Sequence, residues 1–218
     1  MREFFERNHF LMRRLHSLFG IIPVGGFLLF HLYENFHAWT GGPEAYNEAI
    51  RSINSMPLVW LLEIFMIFLP LYFHAIYGIY IAADAKHNVS NYGYGRNWAF
   101  YFQRLTGIIT LFFVTWHIYH FRFQKLLGNY GPYQGGESMS GLPSFDIVKA
   151  AFANNAIFAL YIVGIVAAAY HLCNGLYTFM ITWGITVGPK SQRVTNLITN
   201  AAFVAVSAMG IFAVLAFR

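Results

Sequence analysis

The sequence predicts an all-α integral membrane protein with five transmembrane helices. Of its 218 residues, 57% are hydrophobic and 11% are charged, whereas soluble domains carry roughly 25% charged residues. Aromatic residues make up 19% of the chain, as expected where aromatic side chains lie at both membrane surfaces. Five apolar stretches are each about 20 residues long or more, which is the length that a helix needs to cross the hydrocarbon.

Turn-rich stretches separate the five apolar segments, among them "TGGPEAYN", "NVSNYGYGRN" and "VGPKSQR". The first segment follows an arginine-rich start and lacks an Ala-x-Ala-like cleavage site, so we interpret it as a retained helix and not as a signal peptide. We expect a single membrane-anchor domain over residues 1–218, with helices at about 15–36, 58–82, 98–121, 157–181 and 197–217.

The basic residues indicate the orientation. With the N-terminus in the cytoplasm, nine Lys and Arg residues lie inside and five lie outside, as the positive-inside rule favours. We therefore expect a cytoplasmic N-terminus and a C-terminus outside. The net charge of +5 is spread over loops, which indicates topology and not nucleic-acid binding. The inner residues are Arg2, Arg7, Arg13, Arg14, Lys86, Arg96, Arg104, Lys190 and Arg193, and the outer ones are Arg51, Arg122, Lys125, Lys149 and Arg218.

Four of the nine histidines lie one per predicted helix, on the first four helices. An ionisable residue in hydrocarbon is a functional hypothesis by default, although a lone His can instead hydrogen-bond between helices. The direction of each helix places His31 and His117 toward the outer face, and His74 and His171 toward the inner face. We call these the outer pair and the inner pair, roughly 12 Å apart along the membrane normal. The other five, His9, His16, His37, His87 and His120, are expected at helix ends or outside the membrane.

Two histidine pairs at two depths predict two stacked haems b, because neutral imidazole is a suitable axial ligand for haem iron. The inner haem iron would be held by His74 and His171, and the outer one by His31 and His117. Gly78 and Gly175 each follow an inner histidine by four residues, in "HAIYGIY" and "HLCNGLY", and so share its helix face. We expect these glycines to leave room for a porphyrin edge; the alternative is close helix packing through small residues.

Four long stretches carry a family resemblance: "RRLHSLFGIIPVG", "LEIFMIFLPLYFHAIYGIYIA", "RNWAFYFQRLTGIITLFFVTWH" and "NGLYTFMITWGITVGPKSQR". With them, nearly the whole chain resembles the dihaem cytochrome b membrane-anchor subunits of Bacillus-type succinate:menaquinone oxidoreductase, respiratory complex II. The resemblance implies two haems b with the same histidine pairing, menaquinone as electron acceptor, and a lipid-embedded place in the bacterial cytoplasmic membrane. It also implies docking to an iron–sulfur subunit, which binds the flavoprotein that oxidises succinate.

The resemblance implies that electrons pass from the iron–sulfur subunit to the inner haem, then to the outer haem, and then to menaquinone. A fumarate reductase anchor has the same architecture, and a cytochrome b anchor of another quinone-linked dehydrogenase is a further alternative. A haem-free transporter with intramembrane histidines is a rival of another class. The sequence has no nucleophile–base constellation, phosphate loop or zinc spacing, so we expect succinate chemistry to reside in another subunit.

Quinone reduction needs protons, so we expect a protonatable group near the quinone ring. Glu63 and Glu34 are the candidate relays, both toward the outer side. Glu63 precedes His74 by eleven residues, about three α-helical turns, so regular geometry puts both on one face. The alternative for both is an ordinary helix-end carboxylate. A second possible quinone site, at the inner edge, uses Arg14, His16, Ser17 and Arg104. His16, Arg14 and Arg104 are also candidates for contact with haem propionates, as are Arg122 and Lys190.

Overall fold

The computed structural model describes residues 7–124, 127 and 143–218. Most of these residues are helical. Arg2, Lys125 and most of the long loop after the third predicted helix lie outside the described residues, so their predicted placement stays a prediction. In chain order the elements are α1 (His9–Ile21), α2 (Pro23–Ser55), α3 (Val59–Leu62), a first π-helix (Glu63–Phe68), α4 (Leu69–Ala83), α5 (Gly95–His117), a second π-helix (Ile118–Phe123), α6 (Ser144–Phe152), α7 (Asn155–Thr182) and α8 (Pro189–Leu215).

Within the described residues, four helical stretches are long and apolar enough to cross a membrane: His9–Ser55, Val59–Ala83, Asn155–Thr182 and Pro189–Leu215. They coincide with the first, second, fourth and fifth predicted segments. The third predicted segment is also helical, as α5 and the second π-helix, and its membrane crossing stays a prediction. Large apolar side chains such as Tyr72 and Leu197 are exposed along these helices, as expected of surfaces that face lipid.

The first predicted segment is divided at Pro23, and its second helix continues to Ser55, beyond the expected end. Pro23 has no N–H to continue the ladder of α1, so α1 ends at Ile21 and α2 begins at the proline. Gly42 has a φ of 69° and breaks α2; this left-handed conformation is easy for glycine alone. Pro43 then restarts the helix, because its fixed φ suits a first helical position. The sequence predicted a turn here, and the structure confines it to this kink.

Two π-helices lie on the second and third predicted segments. The first, Glu63–Phe68, begins at the candidate proton relay, and the second, Ile118–Phe123, directly follows His117. A π-turn inserts a residue into the helical register. The expected common face of Glu63 and His74 assumed an unbroken α-helix, so the π-helix removes the basis of that argument.

The structure forms two compact units, and four of the helices contribute to both. The first unit takes its described residues from Met1–Leu29, Leu58–Leu105 and Tyr170–Val204. It contains the inner histidine pair together with His16, Glu63 and both predicted haem-packing glycines. In this unit α1 packs against α4, which brings α1 close to His74.

The second unit takes its described residues from Phe30–Pro57, Thr106–Ala169 and Ala205–Arg218. It contains the outer histidine pair and an aromatic core in which Tyr46, Phe145, Phe152, Tyr161 and Phe217 are buried. The short helix α6 belongs to this core and was not predicted, because nine residues are too few for a membrane span. At 100° per residue, its buried residues Phe145, Ile147, Ala151 and Phe152 lie on less than half of the helix circumference, as in an amphipathic helix. A single membrane-anchor domain over residues 1–218 stays a prediction.

Candidate functional site

The inner histidine pair comes together in the first unit. The ring centres of His74 and His171 are 6.0 Å apart, with the two planes at 83°. His74 lies on α4 and His171 on α7, nearly a hundred residues apart in sequence. The two side chains that the sequence assigned to one site are therefore spatial neighbours.

Backbone carbonyls orient both rings of the inner pair. His74 Nδ1 lies 2.9 Å from the carbonyl oxygen of His16, and His171 Nδ1 lies 3.0 Å from that of Gln103. In the tautomer with the proton on Nδ1, each ring donates to its carbonyl and Nε2 is the nitrogen that can bind a metal. Such a second hydrogen bond fixes both the tautomer and the ring orientation of a metal-binding histidine. Gln103 is held in turn by Asn174, whose Nδ2 donates to its Oε1 at 2.7 Å.

His16 and Gly20 bring α1 against the inner pair. The imidazole of His16 stacks on His74 with centres 4.1 Å apart and planes at 5°. A Cβ at Gly20 would lie 2.3 Å from His74 Cε1, so only glycine allows this approach without a shift. Sequence reasoning missed Gly20, although "HSLFG" has the same His-to-Gly spacing as "HAIYG". His16 was expected at the membrane edge, and the structure instead packs it on a predicted haem ligand.

Gly78 and Gly175 lie beneath polar side chains. A Cβ at Gly78 would lie 3.1 Å from Nε2 of His16, and one at Gly175 would lie 3.4 Å from Nε2 of Gln103. In the structure both glycines therefore make room for residues that surround the inner pair. Their predicted contact with a porphyrin edge stays a prediction.

The outer histidine pair comes together in the second unit. The ring centres of His31 and His117 are 5.7 Å apart, with planes at 71°. His117 Nδ1 lies 2.9 Å from the hydroxyl oxygen of Tyr161, so its partner is a side chain and not a backbone carbonyl. Tyr161 is 5% exposed and was absent from the sequence-based candidates. A buried tyrosine on an apolar helix gives no sequence signal of the residue it contacts.

His120 corrects an expectation. It was expected at a helix end in contact with solvent, but it is only 4% exposed. Its ring packs against Trp116, with centres 4.5 Å apart, and against Phe121 at 4.7 Å. The second π-helix follows His117 and carries His120 into this aromatic environment. The length of the apolar segment gave no signal of that change of register.

The two candidate proton relays lie in different units and are both half-buried. Glu63 begins the first π-helix. Glu34 lies one turn after His31 on α2, within the unit of the outer pair. Their roles as relays stay predictions.

Two of the three arginine candidates, Arg14 and Arg104, contact aromatic rings in the first unit. Arg14 lies 5.1 Å from the ring centre of Trp183, whose Nε1 donates to Ser17 Oγ at 3.1 Å. Arg104 lies 3.6 Å from the ring centre of Phe100, and its Nη1 is buried without a hydrogen-bond partner among the described residues. Arg104 is half-buried, and a guanidinium nitrogen that lacks a hydrogen-bond partner favours an anionic group beside it.

The spacing of both pairs fits one iron between two imidazoles. A histidine nitrogen binds a first-row metal ion at about 2.0–2.1 Å, and it lies about 1.1 Å from its ring centre, so two rings on opposite sides of an ion have centres roughly 6.2–6.4 Å apart. The observed 6.0 Å of the inner pair and 5.7 Å of the outer pair are close to this value. Each pair offers two nitrogens, the number of axial positions that a porphyrin leaves on its iron.

Comparison with known proteins gives the family. A sequence model of the succinate dehydrogenase/fumarate reductase transmembrane subunit matches residues 85–212, more than half of the chain. The chain belongs to this family. It is also 46% identical over 210 residues to the succinate dehydrogenase cytochrome b558 subunit of Bacillus subtilis (strain 168), an alignment that covers 96% of this chain and 98% of that one. The resemblance seen in the sequence is confirmed, and this family member is a membrane-anchoring subunit of a larger complex.

Proposed function

We propose that this chain is the cytochrome b membrane anchor of a succinate dehydrogenase, with two haems b, and that it delivers electrons from the iron–sulfur subunit to menaquinone. The relative from Bacillus subtilis is named as a cytochrome b subunit of succinate dehydrogenase. The observation that carries the proposal is that four histidines from four helices meet as two pairs, with ring centres 6.0 Å and 5.7 Å apart. The family also includes fumarate reductase subunits. Membership of this family therefore favours a succinate dehydrogenase or fumarate reductase anchor over an anchor of another quinone-linked dehydrogenase.

The chain's own residues hold and orient the haems in this proposal. His74 and His171 would bind the inner iron through Nε2, since Nδ1 of each ring faces a backbone carbonyl. His31 and His117 would bind the outer iron. A haem iron supplies one-electron oxidation and reduction, while the protein supplies position and electrostatics. Arg104, with its buried Nη1, is the best candidate partner for a haem propionate.

Haem content of the four single histidine variants tests this function. The complex would be purified with each of His31, His74, His117 and His171 replaced by Ala, and its haem measured as pyridine haemochrome. We expect two haems per chain in the parent and the loss of one in each variant. A parent complex without a b-type reduced-minus-oxidised spectrum would overturn the proposal. The flavoprotein and iron–sulfur subunits should co-purify, and their absence would point to a different complex.

We further propose that menaquinone is reduced toward the outer side, with Glu63 or Glu34 as the proton relay. Neither carboxylate reacts with succinate in this scheme; each would hold a proton near the quinone ring. Glu34 is favoured by its place one turn from His31. The inner alternative is favoured by the cluster of Arg14, Trp183 and Ser17.

Conservative replacements separate the two quinone sites. Glu34→Gln and Glu63→Gln keep the size of the side chain and remove its exchangeable carboxyl proton. Succinate:quinone activity should fall in one of them with both haems retained. Normal activity in both variants, together with a loss of activity in Ser17→Ala, would move the quinone to the inner edge.

A further inference from the structure

The outer pair differs from the inner pair in what orients its histidine. His74 and His171 face backbone carbonyls, at 2.9 Å and 3.0 Å. His117 instead faces the hydroxyl of Tyr161, at 2.9 Å. A substitution can remove a side-chain hydroxyl but not a backbone carbonyl. The hydrogen-bond partner of His117 can therefore be removed by mutation without changing the inner pair.

The direction of this hydrogen bond follows from iron binding. When Nε2 of a neutral imidazole binds iron, the proton of the ring resides on Nδ1. Nδ1–H of His117 therefore donates and the phenol oxygen of Tyr161 accepts. A hydrogen bond of this kind raises the basicity of the metal-binding nitrogen. A more basic ligand stabilises ferric iron over ferrous iron and so lowers the reduction potential of the haem.

Packing holds the Tyr161 ring independently of its hydroxyl. Phe113 meets it edge-on at 5.1 Å, and Phe152 meets it at 4.6 Å. Gly164 lies one turn further along the same helix, and a Cβ there would come within 2.3 Å of the Phe113 ring. The helix surface is thus shaped to admit Phe113 beside Tyr161. Removal of the hydroxyl alone should leave the phenyl ring where it is.

We propose that Tyr161 is a positioning residue for the outer haem, which fixes the orientation of His117 and lowers the reduction potential of that haem. The inference rests on the proposed function, because it requires a haem between His31 and His117. Tyr161 acts through His117 and takes no part in the electron transfer itself.

The test compares Tyr161→Phe with Tyr46→Phe in the purified complex. Both tyrosines are 5% exposed and belong to the same aromatic core, but Tyr46 packs on Phe145 and Phe217. Redox titration followed by visible and electron paramagnetic resonance spectra gives the potential of each haem, and the signal lost in His117→Ala identifies the outer one. In Tyr161→Phe we expect an upward shift of the outer potential and an unchanged inner potential. Tyr46 interacts electrostatically with Tyr161, but its replacement leaves the contact between Tyr161 and His117 in place. In Tyr46→Phe the inner potential should therefore be unchanged, and the outer potential should shift less than in Tyr161→Phe.

A second substitution at position 161 keeps the inference testable if the Tyr161→Phe variant does not assemble. Fluorotyrosine at position 161 keeps the shape of the side chain but weakens the oxygen as an acceptor, so it should give a smaller upward shift. An unchanged or lower outer potential in both substitutions would overturn the inference, as would an equal shift in Tyr46→Phe. A parent complex without haem would instead overturn the proposed function.

Discussion

The substitution Gly20→Ala should remove the inner haem from the proposed two-haem protein. The new Cβ would lie 2.3 Å from His74 Cε1 and 2.6 Å from Nδ1, whereas ordinary contact begins at 3.4 Å, so the ring would have to move by about 1.1 Å. Distances from ligands to metals are held within about 0.2 Å, several times less than this displacement. The same movement would strain the hydrogen bond from His74 to the carbonyl of His16. Overpacking of this kind costs about 1–3 kcal/mol.

Pyridine haemochrome per chain measures the result, which should fall from two haems to one with the signal of the inner pair lost. Gly26→Ala is the matched control, because it makes the same change six residues further along with nothing within 4 Å of the new Cβ. The control should keep both haems. Two haems with unchanged spectra in Gly20→Ala would refute the packing argument, since they would mean that His74 accommodates the methyl group without losing its place.

Three further variants test other contacts. Gly164→Ala would place a Cβ 2.3 Å from Cγ of Phe113; the electron paramagnetic resonance signal of the outer haem should change while that of the inner haem stays, and the reverse pattern would contradict the assignment. Gln103→Ala should keep two haems in a pyridine haemochrome assay, because His171 faces the backbone carbonyl of Gln103 at 3.0 Å, and a loss of haem would show that the amide side chain is essential. Arg218→Ala removes a hydrogen bond of 3.1 Å to the carbonyl at the end of α6, so it should lose about 1–2 kcal/mol and lower Tm by a few degrees in a thermal melt, whereas an unchanged Tm would mean that this contact does not stabilise the fold.

The sequence was sufficient for four of the five predicted membrane segments, because hydrocarbon imposes a length and a composition that can be recognised in the sequence alone. It was less reliable at the segment ends. The extension of α8 back to Pro189 follows from a helix continuing through polar residues beyond the apolar stretch. The short helix α6 escaped notice because it packs on other aromatic residues and not on lipid.

The candidate site divides in a similar way. The pairing of the histidines could be argued from helix direction, because two helices that run in the same direction and carry a histidine past their midpoints bring both histidines to the same side of the membrane. The hydrogen-bond partner of each histidine ring could not be argued from the sequence. His74 reaches a carbonyl 58 residues away and His117 a hydroxyl 44 residues away. Periodicity along one helix reports which face a residue occupies, but not which residue of another helix it meets.

By itself, the sequence indicated a helical membrane anchor and predicted that its intramembrane histidines bind haem, because ionisable groups are costly to place in hydrocarbon. Only the tertiary structure showed that Gly20 lets α1 pack closely against His74, that His16 stacks on His74, and that the Tyr161 hydroxyl lies within hydrogen-bonding distance of His117. A change of about one ångström in the distance between two helices would make or break each of these contacts. Such distances are set by the packing of all the side chains between two helices, and no single segment of sequence contains them.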